Sequence, residues 1–404
     1  MKKKIIYISH VKFSFKIAEH WLYDDLEKNG FACEYLNVSL LCRKGYIFDL
    51  EPYRNEIIIR TFAELNNYLK DQKNSNTIYI LLFLPHKFSF IKIYRYLEKE
   101  NCRKIYFSWG PFKKIKSISF QRRAFWSRIK NFIFRIYNRF LIEFYKQLIL
   151  ISPFDIIFIA ANNMKSTREL FYQKISINLC DNDSYLSVRE KECRVITDKY
   201  VVFLDSGMVN HADDPDIYKM EPQVYYNKMN SVFRIIEKSG LRVIIASHPT
   251  IDYNKSIFED REIIKFSTAQ LVKYCEFVLV HQSTSHVYAI LFKKPLIMIK
   301  TDEMEYHVFD NPLDLMQGIA SELNLKIFRA ESFDNLEYMD SLSINNELYE
   351  RYKFNYLVSR GVENKKNIEI VLPVITDLFK KNKCYFEYST LNLDKKINYN
   401  YRLL

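Results

Sequence analysis

Glycine is nearly missing from this chain: seven residues in 404, at positions 30, 45, 110, 207, 240, 318 and 361, no two closer than fifteen apart. That spacing forbids both G-x-G-x-x-G and G-x-x-x-x-G-K-[ST], so neither a dinucleotide fingerprint nor a P-loop can be built. G-x-S-x-G and H-E-x-x-H are absent too, which removes the usual α/β-hydrolase elbow and the zincin helix. The seven cysteines contain no C-x-x-C pair. Metal and disulfide frameworks are therefore not expected, and a reducing, cytoplasmic compartment is favoured. No stretch reaches the roughly 18 uninterrupted apolar residues of a spanning helix. The opening "MKKKIIYISH" is apolar for only four residues after its lysines, which reads as a first strand rather than the core of a secretory signal.

What the chain does carry is a strict alternation of strand and helix patterns. Apolar residues make up 48 % of it, enough for folded cores, and its length fits two domains. Strands are expected at 4–9, 32–38, 77–84, 104–109 and 154–161, with helices at 13–30, 61–72, 90–101 and within 120–150. The pattern then restarts, with strands at 199–207, 241–247, 276–282 and 294–300. Helices at 221–239, 267–275, 283–292 and 367–381 accompany them. Two successive series of this kind imply an α/β protein of two doubly wound, Rossmann-like domains facing a cleft. The boundaries expected are 1–190 for the first domain, 191–365 for the second, and 366–404 for a helix and tail that can pack back on the first. The hinge is expected near 185–197.

Three strand ends of the second half would meet at one sheet edge. "FLDSG" offers Asp205 before Ser206 and Gly207; "SHPT" offers His248 pinned by Pro249; "HQSTSHVYAILF" carries His281, Gln282, Ser283, Thr284 and Ser285 into a helix start. Hydroxyls and amides at such a start favour an anion, and an imidazole beside them adds a further donor. Each feature also has a plainer use, as an N-cap, a turn or a turn aspartate; the conjunction at successive strand ends is what points to a ligand. Asp302 and Glu303 follow the last of these strands and could hydrogen-bond a ribose. In the first half, His10 and Lys12 follow strand one and would face the acceptor. "DND" at 181–183 precedes the hinge and is read as a loop, with metal-independent chemistry expected.

"SHPT" followed by "EFVLVHQSTSHVYAILFKKPLIMI" resembles the donor half of GT-B glycosyltransferases. More narrowly it is similar to bacterial transferases of CMP-activated acidic sugars (sialyl, Kdo and other nonulosonic acids) that build capsule, O-antigen or lipooligosaccharide. That resemblance implies that the HP and Ser/Thr motifs hold the donor nucleotide and its phosphate. It also implies an acidic base in the place of Asp205, although position 206 is Ser where the family motif has a second acid or its equivalent. A nucleotide sugar would then be a substrate, with no separate cofactor, and a glycan or lipid-linked molecule the acceptor. Transferases of UDP-sugars or CDP-glycerol and sugar 2-epimerases share such motifs and stay open, as does a non-catalytic protein with a degenerate donor site.

The net charge of +12 is concentrated. Residues 113–141 hold nine Lys or Arg and no acid, which leaves only +3 for the rest. Phe125, Ile129, Phe132, Ile133, Ile136, Phe140 and Phe144 recur there at helical spacing. Two uses compete: a core helix with a solvated basic face, and an anionic membrane surface met by Arg122, Arg123, Trp126, Arg128, Lys130 and Arg135. The second would hold the protein on the inner face of the cytoplasmic membrane. Nucleic acid is not expected, because charge confined to one element makes no continuous groove.

Overall fold

The computed structural model describes residues 3–42, 52–72, 76–109, 112–115, 133, 136–138, 140–145, 151–161, 169–192, 194–209, 220–248, 251–306 and 312–380. They form two parallel sheets flanked by helices, the two-unit α/β architecture expected.

The first sheet contains β1 (Lys4–Ser9), β2 (Ala32–Asn37), β3 (Glu56–Ile58), β4 (Thr77–Leu82), β5 (Arg103–Ser108), β6 (Phe154–Ala160) and β7 (Phe171–Ile177). Its order is β3-β2-β1-β4-β5-β6-β7, with every pairing parallel. The second contains β8 (Tyr200–Leu204), β9 (Arg242–Ala246), β10 (Ile263–Ile264), β11 (Val278–Val280), β12 (Leu296–Lys300) and β13 (Ile327–Arg329), in the order β10-β9-β8-β11-β12-β13, again all parallel. Central strands such as β6 and β8 are buried along their whole length. Helices cover both faces of such sheets, so those strands read as unbroken apolar runs.

The expected helix over 13–30 is two helices, Phe15–His20 and Tyr23–Lys28, separated by Leu22 in a left-handed conformation at φ +60°. The Tyr7 hydroxyl donates to the Trp21 carbonyl at 2.9 Å, drawing that carbonyl out of the helical ladder.

The passage between the units lies earlier than the stretch 185–197. Residues 181–189 are a helix belonging to the second unit: Val188 is in its core, and the Tyr185 ring packs on Phe292 at 4.8 Å. The chain therefore crosses near Asn178 and returns between Leu357 and Asn367. The two passages are tied together. Asn178 Nδ2 donates to the carbonyls of Val362 (2.8 Å) and Lys365 (3.0 Å), its Oδ1 accepts from Ser359 N–H, and Asn367 Oδ1 accepts from Asn178 N–H. After the return, the helix Asn367–Lys380 sends Val371, Ile375, Leu378 and Phe379 into the core of the first unit.

The carboxyl edges of the two sheets face each other. Phe112, which follows β5, packs edge-on to His286, which follows β11, at 5.1 Å. Ile115 N–H donates to Asp314 O at 2.9 Å, and Lys113 pairs with Glu322 at 2.6 Å. Phe15, after β1, meets Phe266, after β10, at 6.3 Å.

Candidate functional site

In the second sheet, Leu204 is in register with Ala246 on one side and with Val280 on the other, and Val280 with Met298. The residues that follow these strand ends, Asp205, Ser247, His281 and Ile299, consequently form a row across the carboxyl edge. Ser206, His248 and Gln282 come next. Chain order reverses between β8 and β11, and such a reversal is where open α/β sheets take ligands. The segments "DSG" and "HQSTS" flank that point.

Asp205 is buried. Its Oδ1 accepts from Gly207 N–H at 3.0 Å and its Oδ2 from the Tyr253 hydroxyl. Gly207 has φ +67°, a left-handed backbone that a side chain would strain. Burial raises the proton affinity of Asp205, while the bonds from Tyr253 and Gly207 oppose that rise. Ser206 Oγ is buried and has no hydrogen-bond partner among the described residues.

His281 does not reach the cleft. The ring is fully buried, with Nδ1 2.6 Å from Ile299 O and Nε2 2.9 Å from the Tyr225 hydroxyl. A carbonyl can only accept, so Nδ1 carries the proton and Nε2 accepts from Tyr225. Burial draws the pKa down to about 4, against the favourable carbonyl bond. The donor contact expected of His281 gives way to a structural cross-link between β11 and β12. His286 repeats the arrangement, donating from Nδ1 to Ser283 O (2.7 Å) and accepting at Nε2 from Tyr352 (2.8 Å), with the same depression to about 4.

The hydroxyl turn is where the sequence puts it. Ser283 Oγ accepts from Ser285 N–H at 3.3 Å, Thr284 is exposed, and a 3-10 turn at Thr284–His286 leads into the helix Val287–Leu291. Gln282 lies across the reversal point, its Nε2 3.7 Å from Met208 Sδ in the loop after β8. His248 is half-buried, and its carbonyl accepts from Ile251 N–H at 3.2 Å. Pro249 lies outside the described residues, as do Arg122, Arg123, Trp126, Arg128, Lys130 and Arg135.

Asp302 and Glu303 are engaged with protein cations. Glu303 binds Lys228, which also pairs with Glu331 at 2.7 Å, and Asp302 binds Arg329. Burial pushes the Glu303 carboxyl up, but the bond and charge of Lys228 together with neighbouring hydrogen-bond donors outweigh it, and the net shift is downward. The ribose contact expected of these acids competes with that ion-pair cluster. "DND" is the first turn of the helix Asp181–Arg189 and not a loop; Asp183 Oδ1 accepts from Asn367 N–H at 2.9 Å. On the first sheet, His10 stacks on Phe90 at 5.4 Å, and His10 and Lys12 are both half-buried just beyond β1.

Two residues of the site escaped the sequence reading, as did the packing of a third, Trp109, in the stretch "SWGPFKK" that is expected to face the cleft after its strand. Tyr253 and Tyr225 hold Asp205 and His281 from positions 48 and 56 residues distant, and no local pattern marks them. Trp109 stacks on Trp21 at 3.7 Å, touches both cores, and has a buried Nε1 without a partner among the described residues. Its position directly after β5 was the available signal.

No family model matches the chain, and no curated protein sequence matches it. Solved structures that it is similar to include the calicheamicin glycosyltransferase CalG4, at 10 % identity over 94 % of this chain and 98 % of that one, TM-score 0.47. The wall teichoic acid polymerase TagF follows at 13 % identity over 94 % and 90 %, TM-score 0.48. UDP-GlcNAc 2-epimerase of Methanocaldococcus jannaschii, solved with UDP-GlcNAc and UDP, has 12 % identity over 93 % and 100 %, TM-score 0.45.

Proposed function

We propose that the chain is a glycosyltransferase whose nucleotide-sugar donor lies against the carboxyl edge of the second sheet. The observation that carries this reading is the register itself: Ser206 and the Gln282–Ser285 turn follow the two strands on either side of the reversal between β8 and β11, and His248 follows β9, the next strand along the same edge. A departing nucleotide phosphate needs hydrogen-bond donors and positive charge fixed in advance. Hydroxyls of Ser283, Thr284 and Ser285 supply the first. His281 and His286 are neutral at physiological pH because of burial and are both engaged at each ring nitrogen, so the imidazole N–H offered to the phosphate falls to His248. Asp205 is the candidate base. Burial makes it a stronger base than an exposed carboxylate, and each of its oxygens keeps a second lone pair.

The donor we favour is a CMP-linked nonulosonic acid or Kdo, in assembly of a bacterial surface glycan, on the strength of the HP and Ser/Thr motifs. His10 and Lys12 would meet the acceptor from the facing edge.

Thermal shift of the full chain with CMP, CDP and UDP tests the reading, since a ligand at a hundred times its Kd adds about 2.7 kcal/mol. Stabilisation by CMP alone supports the proposal. A response to UDP or CDP alone moves the chain to another donor or to epimerase chemistry, and no response to any of them refutes it. Asp205→Asn should lower turnover by about a hundredfold or more while leaving nucleotide affinity within a few-fold; unchanged turnover would make the carboxylate a turn anchor only.

A further inference from the structure

The crossover from β5 to β6 contains helical residues between 133 and 145 with two apolar faces. On the inner face, Ile142 is buried and Tyr145 packs against the same cluster, beside Ile91, Ile93 and Phe154. At 3.6 residues per turn, Ile133, Ile136, Tyr137, Phe140 and Phe144 fall within an arc of about 100° on the opposite side. All five are exposed, from 47 % at Phe144 to 68 % at Phe140. A helix of a globular domain needs one apolar stripe, toward the core; a second, contiguous and wet, marks an interaction surface.

The geometry points to an anionic lipid bilayer as the occupant of this outer face. Charge decides among the candidates. Residues 113–141, which lead into and include most of the face, carry nine Lys or Arg and no acid, and Glu143 is the only acid from 113 to 150. Aromatic and aliphatic side chains among basic ones suit insertion at a negatively charged headgroup layer. A second copy of the chain would bring the same basic segment against itself across a two-fold axis, which like charges oppose. Among the described residues no helix is long and apolar enough to cross the membrane, and the contact proposed is a peripheral one. The inference stands on this face alone and does not need the transferase reading.

Flotation of the full chain with phosphatidylcholine vesicles, with and without about 30 % phosphatidylglycerol, tests it. Binding is expected only with the anionic lipid and is expected to fall steeply as salt rises from about 0.1 to 0.5 M. The double variant Ile136→Ser, Phe140→Ser should bind about a hundredfold more weakly, roughly tenfold per side chain, with an unchanged thermal midpoint because both residues are exposed. Arg122→Ser with Arg123→Ser should weaken binding to anionic vesicles as an independent variant. Equal binding to neutral vesicles, insensitivity to salt, or full binding by the Ile136/Phe140 variant overturns the inference. So does light scattering that shows a dimer of the native chain which the same variant dissolves.

Discussion

Gly318 offers a prediction whose sign alone is decisive. It lies in the helix Pro312–Leu323, where Lys113 of the first unit crosses so closely that a Cβ on Gly318 would stand 1.8 Å from the Lys113 carbonyl oxygen and 2.6 Å from its carbonyl carbon. Bringing that contact even to 3.0 Å requires the 113–115 backbone to retreat by about 1.2 Å. The retreat endangers the Ile115–Asp314 backbone bond and the seat of Phe112 against His286, Tyr352 and Tyr356. The Lys113–Glu322 pair, with the lysine largely in water, adds little. In an uncrowded helix interior, Gly→Ala stabilises by about 1 kcal/mol. Here the lost hydrogen bond and the overpacking together cost about 2–4 kcal/mol. Gly318→Ala should therefore destabilise by about 1–3 kcal/mol, a fall of roughly 2–4 °C in melting temperature per kcal/mol for a unit of this size. Thermal scans and urea titrations of the full chain read it directly. An alanine variant more stable than the native protein would mean that the helix and residues 113–115 are not in contact, and the account of how the units meet would fail.

Asn178→Ala should cost about 2 kcal/mol in a urea titration, because it strands the buried Ser359 N–H and removes the donor to the half-buried Val362 carbonyl and to that of Lys365; a loss under about 0.5 kcal/mol would contradict the tie between the two passages. Asp183 is pushed up to about 7 by burial, against the opposing Asn367 N–H bond. The folded state therefore binds its proton more tightly than the unfolded chain, whose carboxyl titrates near 3.8, and stability falls as pH rises from about 4 to 7. Asp183→Asn keeps an acceptor for Asn367 and removes the charge, so the variant should gain on the native protein across that window and hold a constant advantage above it. Parallel stability profiles would refute the assignment.

Strands were legible where the sheet is buried on both faces. β1, β2, β4, β6, β8, β9 and β12 coincide with apolar runs to within a residue or two at most edges, because nothing but apolar side chains fits there. β3, β10 and β13 span only two or three residues, too few to show a period, and β7 is an edge strand whose exposed Tyr172, Gln173 and Lys174 read as loop. The passage between the units was misread for a similar reason: "DSYLSVRE" looks polar, yet two of its few apolar side chains, Tyr185 and Val188, pack on the second unit.

At the site, the sequence carried position but not orientation. The strand ends at 205, 247 and 281 were readable from where apolar runs stop. That His281 turns inward depends on Tyr225 and the Ile299 carbonyl, groups brought by the fold from elsewhere in the chain.

The helix Asn367–Lys380 has a consequence for how this protein comes into being. Four of its side chains complete a core whose other members begin at Ile5, so the amino-terminal unit is left with an open seam until the ribosome has passed residue 380. The carboxyl-terminal unit takes no apolar side chain from that helix, only the Asn367 N–H bond to Asp183, and can close first. Biogenesis would then run in reverse of translation order, and a nascent chain released before residue 380 would expose the groove that Val371 and Ile375 fill, a natural target for chaperones and proteases.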